Sequence, residues 1–307
     1  MSDMFSHVDV KNLLTKKKVV IIGDSNMRGM YKDIVCLLNK NELLPESALK
    51  AKMEPSFMND KLVHKSALNN GRDFREERQF HDHLNHTYVD FFFVTRCHDK
   101  YFDDKIVKNF RERQPDIVIM NSCLWDVTRW GPNGIDPYKE NLRNLMRRLK
   151  EVLKDDCLFI WTTTMPISQD MRGGFLIPQV EFLRHQIRFE IMEANLFAWT
   201  TITKNGFDVL DLHYYMQMNI LRRAKDGIHW LHTAMRHVSN YVLTHIALSW
   251  GVKLPGRITS KELTYASRYP LYPEFPAENE EPDTPRENSA PKKRKILRPH
   301  HRLGDRR

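Results

Sequence analysis

The chain has 307 residues, of which 41% are hydrophobic and 28% are charged, and its formal net charge is +9. A chain of this length and apolar content can bury a sizeable core, so we expect one large domain with extensions. No stretch approaches the roughly 20 consecutive apolar residues of a membrane-spanning helix, which argues against an integral membrane protein.

The start of the chain and its cysteines indicate where the protein works. Lysines follow the few apolar residues near Met1, and the apolar segment of a secretory signal peptide is missing. The cysteines are scattered and form no C-x-x-C pair, which is typical of reduced, buried thiols. We therefore expect an intracellular protein, cytoplasmic or nuclear, without a disulfide framework or a zinc ribbon. The four positions are Cys36, Cys97, Cys123 and Cys157.

After an N-terminal extension of residues 1–15, strand and helix patterns alternate over residues 16–255. Continuous apolar runs without alternation are typical of strands in a sheet that is covered on both faces. Between them lie helical patterns, which predict a central parallel sheet with right-handed crossovers and a three-layer α/β fold. The predicted strands are VVIIG at 19–23, VDFFFV at 89–94, DIVIMN at 116–121, LFIWTTT at 158–164 and FDVLDL at 207–212.

Three helices are predicted with the most support. The pattern over residues 136–156 places apolar residues on one face, and Asp136 is expected to cap it, followed by Pro137 in the first turn. A second helix is expected after Pro178, and a third over residues 233–248.

Residues 41–86 are polar and irregular, and we expect loops with a small hairpin around LVHKS and FREERQF. The segment HDHLNH offers His81, His83 and His86 as metal ligands. No acidic or cysteine partner has suitable local spacing, so we expect no metal site there.

The last segment, residues 256–307, is rich in Pro, Glu, Arg and Lys and lacks apolar periodicity. This composition predicts a disordered tail that is acidic first and basic at its tip. The run KKRK at 292–295 is compatible with a nuclear import signal, a nucleic-acid patch or an ordinary solvated tail.

In open parallel sheets, ligands bind outside the carboxyl ends of the strands. Gly23-Asp24-Ser25-Asn26 follows the first predicted strand, and Asn121-Ser122-Cys123 follows the third. A nucleotide-binding fold could begin in the same way, but GDSNMRG lacks the G-x-G-x-x-G and G-K-[ST] patterns. Ser25 is then either a nucleophile at the end of a buried strand or, like Asp24, a cap of the next helix.

A serine nucleophile needs a base, and the base needs an orienting acid. The stretch KDGIHW supplies Asp226 and His229 just before the last predicted helix. The rival pair is Asp211 and His213 in LDLHYY. We predict that His229, and not His213, lies within reach of Ser25.

These motifs carry a resemblance. GDS after the first strand and a late D-x-x-H resemble the SGNH or GDSL hydrolase superfamily, and GDSNMR is similar to the G-D-S-x-x-R motif of its PC-esterase family. DGIHW resembles that family's D-x-x-H-W block, and NSCLW resembles its N-T-G-H-W stretch. The resemblance covers about Lys16 to Leu254.

The resemblance implies a flavodoxin-like SGNH fold and the hydrolysis or transfer of acyl esters, without a cofactor, on glycans or glycoproteins. It assigns Ser25 as nucleophile, His229 as base and Asp226 as orienting acid. The alternative is a catalytically weak relative that binds a partner, with its basic tail engaging nucleic acid or an import receptor.

One block departs from the superfamily pattern. Where SGNH enzymes carry G-x-N-D, with the Asn donating to the oxyanion, PDIVIMNSCLWD places Cys123, Trp125 and Asp126 at the Gly, Asn and Asp. Loss of one oxyanion donor typically costs about a hundredfold to a thousandfold in rate. The candidate substitutes are the backbone at Ser25 and after Gly71, and the side chains of Arg28, Asn121 and Ser122.

Overall fold

The computed structural model describes residues 3–67, 71–130, 133–172, 176 and 178–256. The chain divides into two compact units, Met1–Tyr272 and Pro273–Arg307, and every described residue belongs to the first. Except for Gly256, the predicted disordered tail with its KKRK run lies outside the described residues.

One sheet forms the centre of the described unit, with the strand order β2-β3-β4-β1-β5-β6-β7. The order β4-β1-β5-β6-β7 is parallel throughout and corresponds to the 2-1-3-4-5 order of flavodoxin-like folds. Each of the five predicted apolar runs forms one of these parallel strands. The strands are β1 (Lys18–Gly23), β2 (Lys61–Lys65), β3 (Glu76–Asp82), β4 (Thr87–Phe93), β5 (Ile117–Met120), β6 (Leu158–Thr162) and β7 (Asp208–Leu210).

The two remaining strands make the sheet mixed. The predicted hairpin in the irregular region forms from β2 and β3, and β3 then pairs antiparallel with β4. A short turn joins β3 to β4, and a connection of that length permits only antiparallel pairing. The insertion therefore extends the edge of the sheet instead of lying apart from it.

Helices cover both faces of the sheet. The three predicted helices form as α6, α7 and α9, and a 3-10 helix, Pro178–His185, precedes α7. The helix α6 begins at Ile135 with Gly134 as its N-cap, so Asp136 lies in the first turn and the expectation that it caps the helix is wrong. The α-helices are α1 (His7–Leu14), α2 (Ser25–Asn39), α3 (Glu46–Lys50), α4 (Val107–Glu112), α5 (Leu124–Arg129), α6 (Ile135–Val152), α7 (Ile187–Lys204), α8 (Leu212–Met216) and α9 (His232–Ser249).

Two apolar cores confirm the predicted three-layer α/β fold. Successive residues of a strand point to opposite faces, and in β1 Val19 and Ile21 join the core under α1, α2 and α9. Val20 and Ile22 join the core under α4, α5, α6 and α7. All four side chains are buried, which explains why the run is continuously apolar.

Three further expectations concern metals, thiols and membranes. His81 stacks on Tyr88 at 3.9 Å between ring centroids, and among the described residues no group of His, Cys, Asp or Glu is placed to hold a metal ion. All four cysteines are free thiols, with Cys157 only partly buried. In the described part of the chain, no helix has the length and hydrophobicity to cross a membrane.

Candidate active site

Ser25 lies where β1 ends and α2 begins. Gly23 permits this abrupt turn, because a Cβ atom there would lie 2.8 Å from the Asn121 carbonyl oxygen. Asp24 is the N-cap of α2, and its carboxylate accepts a hydrogen bond of 2.8 Å from the Asn26 amide. The cap is therefore Asp24, and the Ser25 hydroxyl is left for another partner.

That partner is His229. Its Nε2 lies 2.7 Å from Ser25 Oγ, and its Nδ1 lies 2.8 Å from Asp226 Oδ2. Because Nδ1 faces a carboxylate, it carries the proton, and Nε2 is then the acceptor for the serine hydroxyl. The three residues form a continuous hydrogen-bonded chain in the order that nucleophilic catalysis needs.

The turn that carries Asp226 and His229 is held by its own backbone. Asp226 Oδ1 accepts hydrogen bonds of 2.9 Å from the amides of Ile228 and His229, while its Oδ2 faces the imidazole. Gly227 has a φ of +79°, and a Cβ there would lie 2.6 Å from the Ser168 side chain. The D-G-x-H spacing thus lets one carboxylate orient both the turn and the ring.

Electrostatics keep Asp226 ionised. Burial alone would raise the pKa of this carboxyl, but the hydrogen bonds from His229 and from the two turn amides outweigh it and hold the pKa well below its usual range. A permanent negative charge beside Nδ1 favours the imidazolium that forms when His229 accepts a proton.

The rival pair has other partners. Asp211 Oδ1 accepts hydrogen bonds from Thr163 Oγ1 at 2.8 Å and from the Tyr214 amide at 3.1 Å, so it caps α8. His213 Nδ1 lies 2.8 Å from the Thr164 carbonyl oxygen. Ser25 Oγ is hydrogen-bonded to His229 and not to His213.

The predicted oxyanion residues are placed differently from one another. Arg28 lines the cleft at Ser25, whereas Gly71, Asn121 and Ser122 are not among its described lining residues. The Asn121 side-chain amide donates to the Thr162 carbonyl at 2.7 Å, and Ser122 Oγ hydrogen-bonds to Asp126.

Arg28 is held by a buried ionic network. Its Nη1 donates to Glu76 at 3.0 Å, and the other Glu76 oxygen accepts a hydrogen bond of 3.0 Å from Arg78. Arg78 also binds Asp60 with two hydrogen bonds of 2.7 and 2.8 Å. This network ties α2 to the inserted strand β3, so the insertion orients a side chain of the cleft.

Asp126, which aligns with the Asp of the missing G-x-N-D block, is structural. It is buried, and it accepts hydrogen bonds from Ser122 Oγ and from the Cys97 amide, the latter at 3.0 Å. Burial raises the pKa of Asp126 to about 6 despite these hydrogen bonds.

A cleft of about 320 Å³ opens over the Ser25 hydroxyl. One side is a wall of three aromatic rings in edge-to-face contact: Phe74 and Phe93 are 4.7 Å apart between centroids, and Phe93 and Trp125 are 5.9 Å apart. Sequence reasoning missed this wall as a binding surface. Its only signal was the NSCLW block, which contains Trp125, because the other two rings come from separate segments.

Comparison of the sequence with known proteins identifies relatives of this chain. No family model matches the chain. The chain is 42% identical over 261 residues to PC-esterase domain-containing protein 1A of Homo sapiens, covering 83% of the chain and 58% of that protein. Identity to PC-esterase domain-containing protein 1B of Homo sapiens is 42% over 258 residues, covering 81% and 58%.

The chain thus spans less than two thirds of the length of the curated relatives it matches. A solved structure that is similar is Axe2, an acetylxylan esterase from Geobacillus stearothermophilus, with 14% identity and a TM-score of 0.44. That match covers 78% of this chain and 97% of the other.

Proposed function

Because the chain belongs to the PC-esterase family, as its identity to PC-esterase domain-containing proteins 1A and 1B shows, we propose that it cleaves acyl esters with Ser25 as the nucleophile. His229 is the general base, and Asp226 orients it. The observation that carries the proposal is the hydrogen-bonded chain from Ser25 through His229 to Asp226 at the floor of an open cleft.

In the first half of the reaction, His229 Nε2 takes the hydroxyl proton while Ser25 Oγ bonds to the ester carbonyl carbon. The carbonyl π electrons move to its oxygen, giving a tetrahedral oxyanion. When this intermediate collapses, the bond to the alcohol oxygen breaks, and the alcohol leaves with the proton from His229. An acyl-Ser25 ester remains.

In the second half, His229 takes a proton from the acceptor, whose oxygen attacks the acyl carbonyl. Ser25 Oγ then leaves and recovers its proton from His229. If the acceptor is water, the reaction is hydrolysis, and if it is another alcohol, the reaction is acyl transfer.

Positive potential at the start of α2 supports the oxyanion. Ser25 is the first residue of α2, and its amide has no acceptor within the helix, whereas the Asn26 amide already donates to Asp24. The helix dipole adds to the attraction of the Ser25 amide for a developing negative charge. Arg28 contributes a cation one turn further along. Gly71, Asn121 and Ser122 do not enter this proposal, since none of them lines the cleft.

The test is labelling and turnover on the purified chain. A fluorophosphonate probe should label the wild-type protein and should not label Ser25→Ala, because the probe reacts with the activated serine oxygen. Turnover of p-nitrophenyl acetate should disappear together with the labelling. The matched control is Ser47→Ala, which removes the hydroxyl of an exposed serine on α3 and should retain both.

Thermal melting of the same proteins separates catalysis from structure. Ser25→Ala should stay within about 1.5 kcal/mol of the wild-type stability, because only one hydrogen bond is lost and Asp24 still caps α2. An unlabelled and inactive wild type, with a marked loss of stability in Ser25→Ala, would contradict the proposal and make Ser25 structural.

A further inference from the structure

The charges around the cleft are unequal. Among the residues that the structure describes, five basic side chains line the cleft, against three acidic ones. The acidic groups have other partners: Asp24 caps α2, Asp226 binds His229, and Glu46 lies 3.4 Å from Lys50. Two of the basic groups are paired as well, Lys50 with Glu46 and Arg28 with Glu76. The basic lining residues are Arg28, Lys50, Lys52, Arg129 and Arg172.

Three of these cations lie on the aromatic wall, one at each ring. Lys52 Nζ lies 5.8 Å from the centroid of Phe74, the Arg28 guanidinium 5.7 Å from that of Phe93, and the Arg129 guanidinium 5.3 Å from that of Trp125. A cation within about 6 Å of a ring is attracted by its π electrons. The wall therefore holds an ordered row of cations with Lys52 and Arg129 at its two ends.

The environments of the two end cations differ. Lys52 is exposed at the rim, whereas Arg129 is partly buried. Burial lowers the pKa of the Arg129 guanidinium, and an anion bound beside it would offset this desolvation. A guanidinium fork also matches the paired oxygens of a carboxylate or a phosphate, which it can bind with two hydrogen bonds.

A neutral ester carries no charge that could pair with the cations at the two ends of the wall. Aromatic faces alone would bind acyl chains or uncharged rings, and the desolvation of nearby cations would weaken such binding. Arg172, whose amide donates to the Asp226 carbonyl at 3.0 Å, adds a fifth cation on the side of the histidine turn. A negatively charged ligand in the cleft therefore has basic groups on both sides of it.

We propose that the cleft selects esters that carry a carboxylate or phosphate group, and that Arg129 and Lys52 are the residues that determine this specificity. The inference deepens the proposed esterase function and rests on it for the position of the scissile ester. The aromatic wall contacts the carbon skeleton of the substrate, while Lys52 and Arg129, at the two ends of the wall, attract its negative group.

The kinetic test compares three acetate esters: 4-acetoxybenzamide, which is neutral, 4-acetoxybenzoate and 4-acetoxyphenyl phosphate. We expect kcat/KM to be higher for at least one anionic ester by about tenfold, the effect of one charge-assisted hydrogen bond. Comparing the two anionic esters identifies the preferred group. Salt should reduce the preference, since the cleft is open to solvent.

Two variants test the named residues. Arg129→Gln and Lys52→Gln should each reduce the ratio of anionic to neutral kcat/KM, and Lys52→Gln, at an exposed position, tests the proposal even if Arg129→Gln fails to fold. The control is Arg113→Gln, which removes the same charge from a guanidinium 3.4 Å from the Tyr88 ring, beside the amino end of β5. The control should keep the wild-type ratio.

Calorimetry on the Ser25→Ala protein separates the two proposals, because it measures binding of the same esters without turnover. Tighter binding of an anionic ester, with no turnover by the wild type, would support the anionic cleft and contradict the esterase function. Equal binding and equal kcat/KM for the charged and neutral esters would overturn the anionic cleft and leave the esterase function standing. A ratio that falls equally in Arg113→Gln would also overturn it.

Discussion

Two pairs of Asp and His lie near the carboxyl ends of the strands, and they do different work. Asp226 and His229 are three residues apart on a turn, and the imidazole of His229 connects the carboxylate to Ser25. Asp211 and His213 are two apart at the start of α8, where the carboxylate caps the helix and the imidazole binds the Thr164 carbonyl.

The difference shows that residue types do not define a catalytic pair. In the first pair, the carboxylate binds one ring nitrogen and leaves the other facing a hydroxyl. In the second pair, the Asp211 carboxylate caps α8, and the His213 imidazole hydrogen-bonds to the Thr164 backbone carbonyl instead. What separates them is the ring nitrogen that remains available at the cleft.

The largest expected effect separates the two histidines. His229→Ala should lower kcat/KM for p-nitrophenyl acetate by on the order of 10⁵-fold or to background, since no other base contacts Ser25 Oγ in the described structure. His213→Ala should keep kcat/KM and lose about 1 kcal/mol of stability, because the Thr164 carbonyl still accepts a hydrogen bond from Asn195. Greater loss of activity in His213→Ala would reverse the assignment.

The second comparison replaces each carboxylate by its amide. Asp226→Asn should lower kcat by on the order of 10⁴-fold, because an amide facing Nδ1 favours the wrong tautomer of His229. Asp211→Asn should remain active and fold normally, since Asn is an equally good N-cap. Steady-state kinetics on both variants check this, and equal activities would exclude Asp226 as the orienting acid.

A smaller expected effect is the pH dependence of stability that the buried carboxyl of Asp126 causes. The pKa of Asp126 is raised to about 6, so the folded protein holds this proton more tightly than the unfolded chain, whose pKa is about 4. Stability should therefore fall as the pH rises from about 4 to 6, by about 3 kcal/mol from this group alone. Urea unfolding of Asp126→Asn across this range should lack that fall, and an unchanged slope would contradict the prediction.

Asp226 should act in the opposite direction. Its pKa is lowered, so its stabilising contribution is present above the unfolded pKa of about 4 and is lost as the pH falls below that value. Asp226→Asn should therefore be less sensitive than the wild type to pH below about 4. The same urea series extended to lower pH measures this.

The fold was predictable because its strands are local signals. Continuous apolar runs such as Val19–Ile22 identify strands that are buried on both faces, and their alternation with helices implies the layers. The pairing of β3 with β4 was not predictable in the same way, since β3 has no continuous apolar run and mixes buried with exposed positions. Its buried Arg78 contacts Asp60 and Glu76. Such contacts link distant segments and leave no periodic pattern.

For the candidate site, the residues that come together were predictable from the sequence, but the directions of their side chains were not. Strand ends and turn spacing bring together Ser25, Asp226 and His229, but a strand end does not determine where a side chain points. Asn121 turns its amide to the Thr162 carbonyl, because a buried amide needs partners within the protein. The aromatic wall and its cations come from five separate segments, and only tertiary packing places them together.

The two ends of the proposed catalytic chain are far apart in sequence: Ser25 and His229 are separated by 204 positions. Ser25 belongs to the first strand–helix junction, and His229 to the last turn before α9. A nascent or proteolysed chain that contains only one of these segments lacks the nucleophile or its base. Under the proposed function, a reagent that reacts with activated Ser25 would label only molecules in which both segments are folded together. Two inactive fragments would become labelled only if they associate.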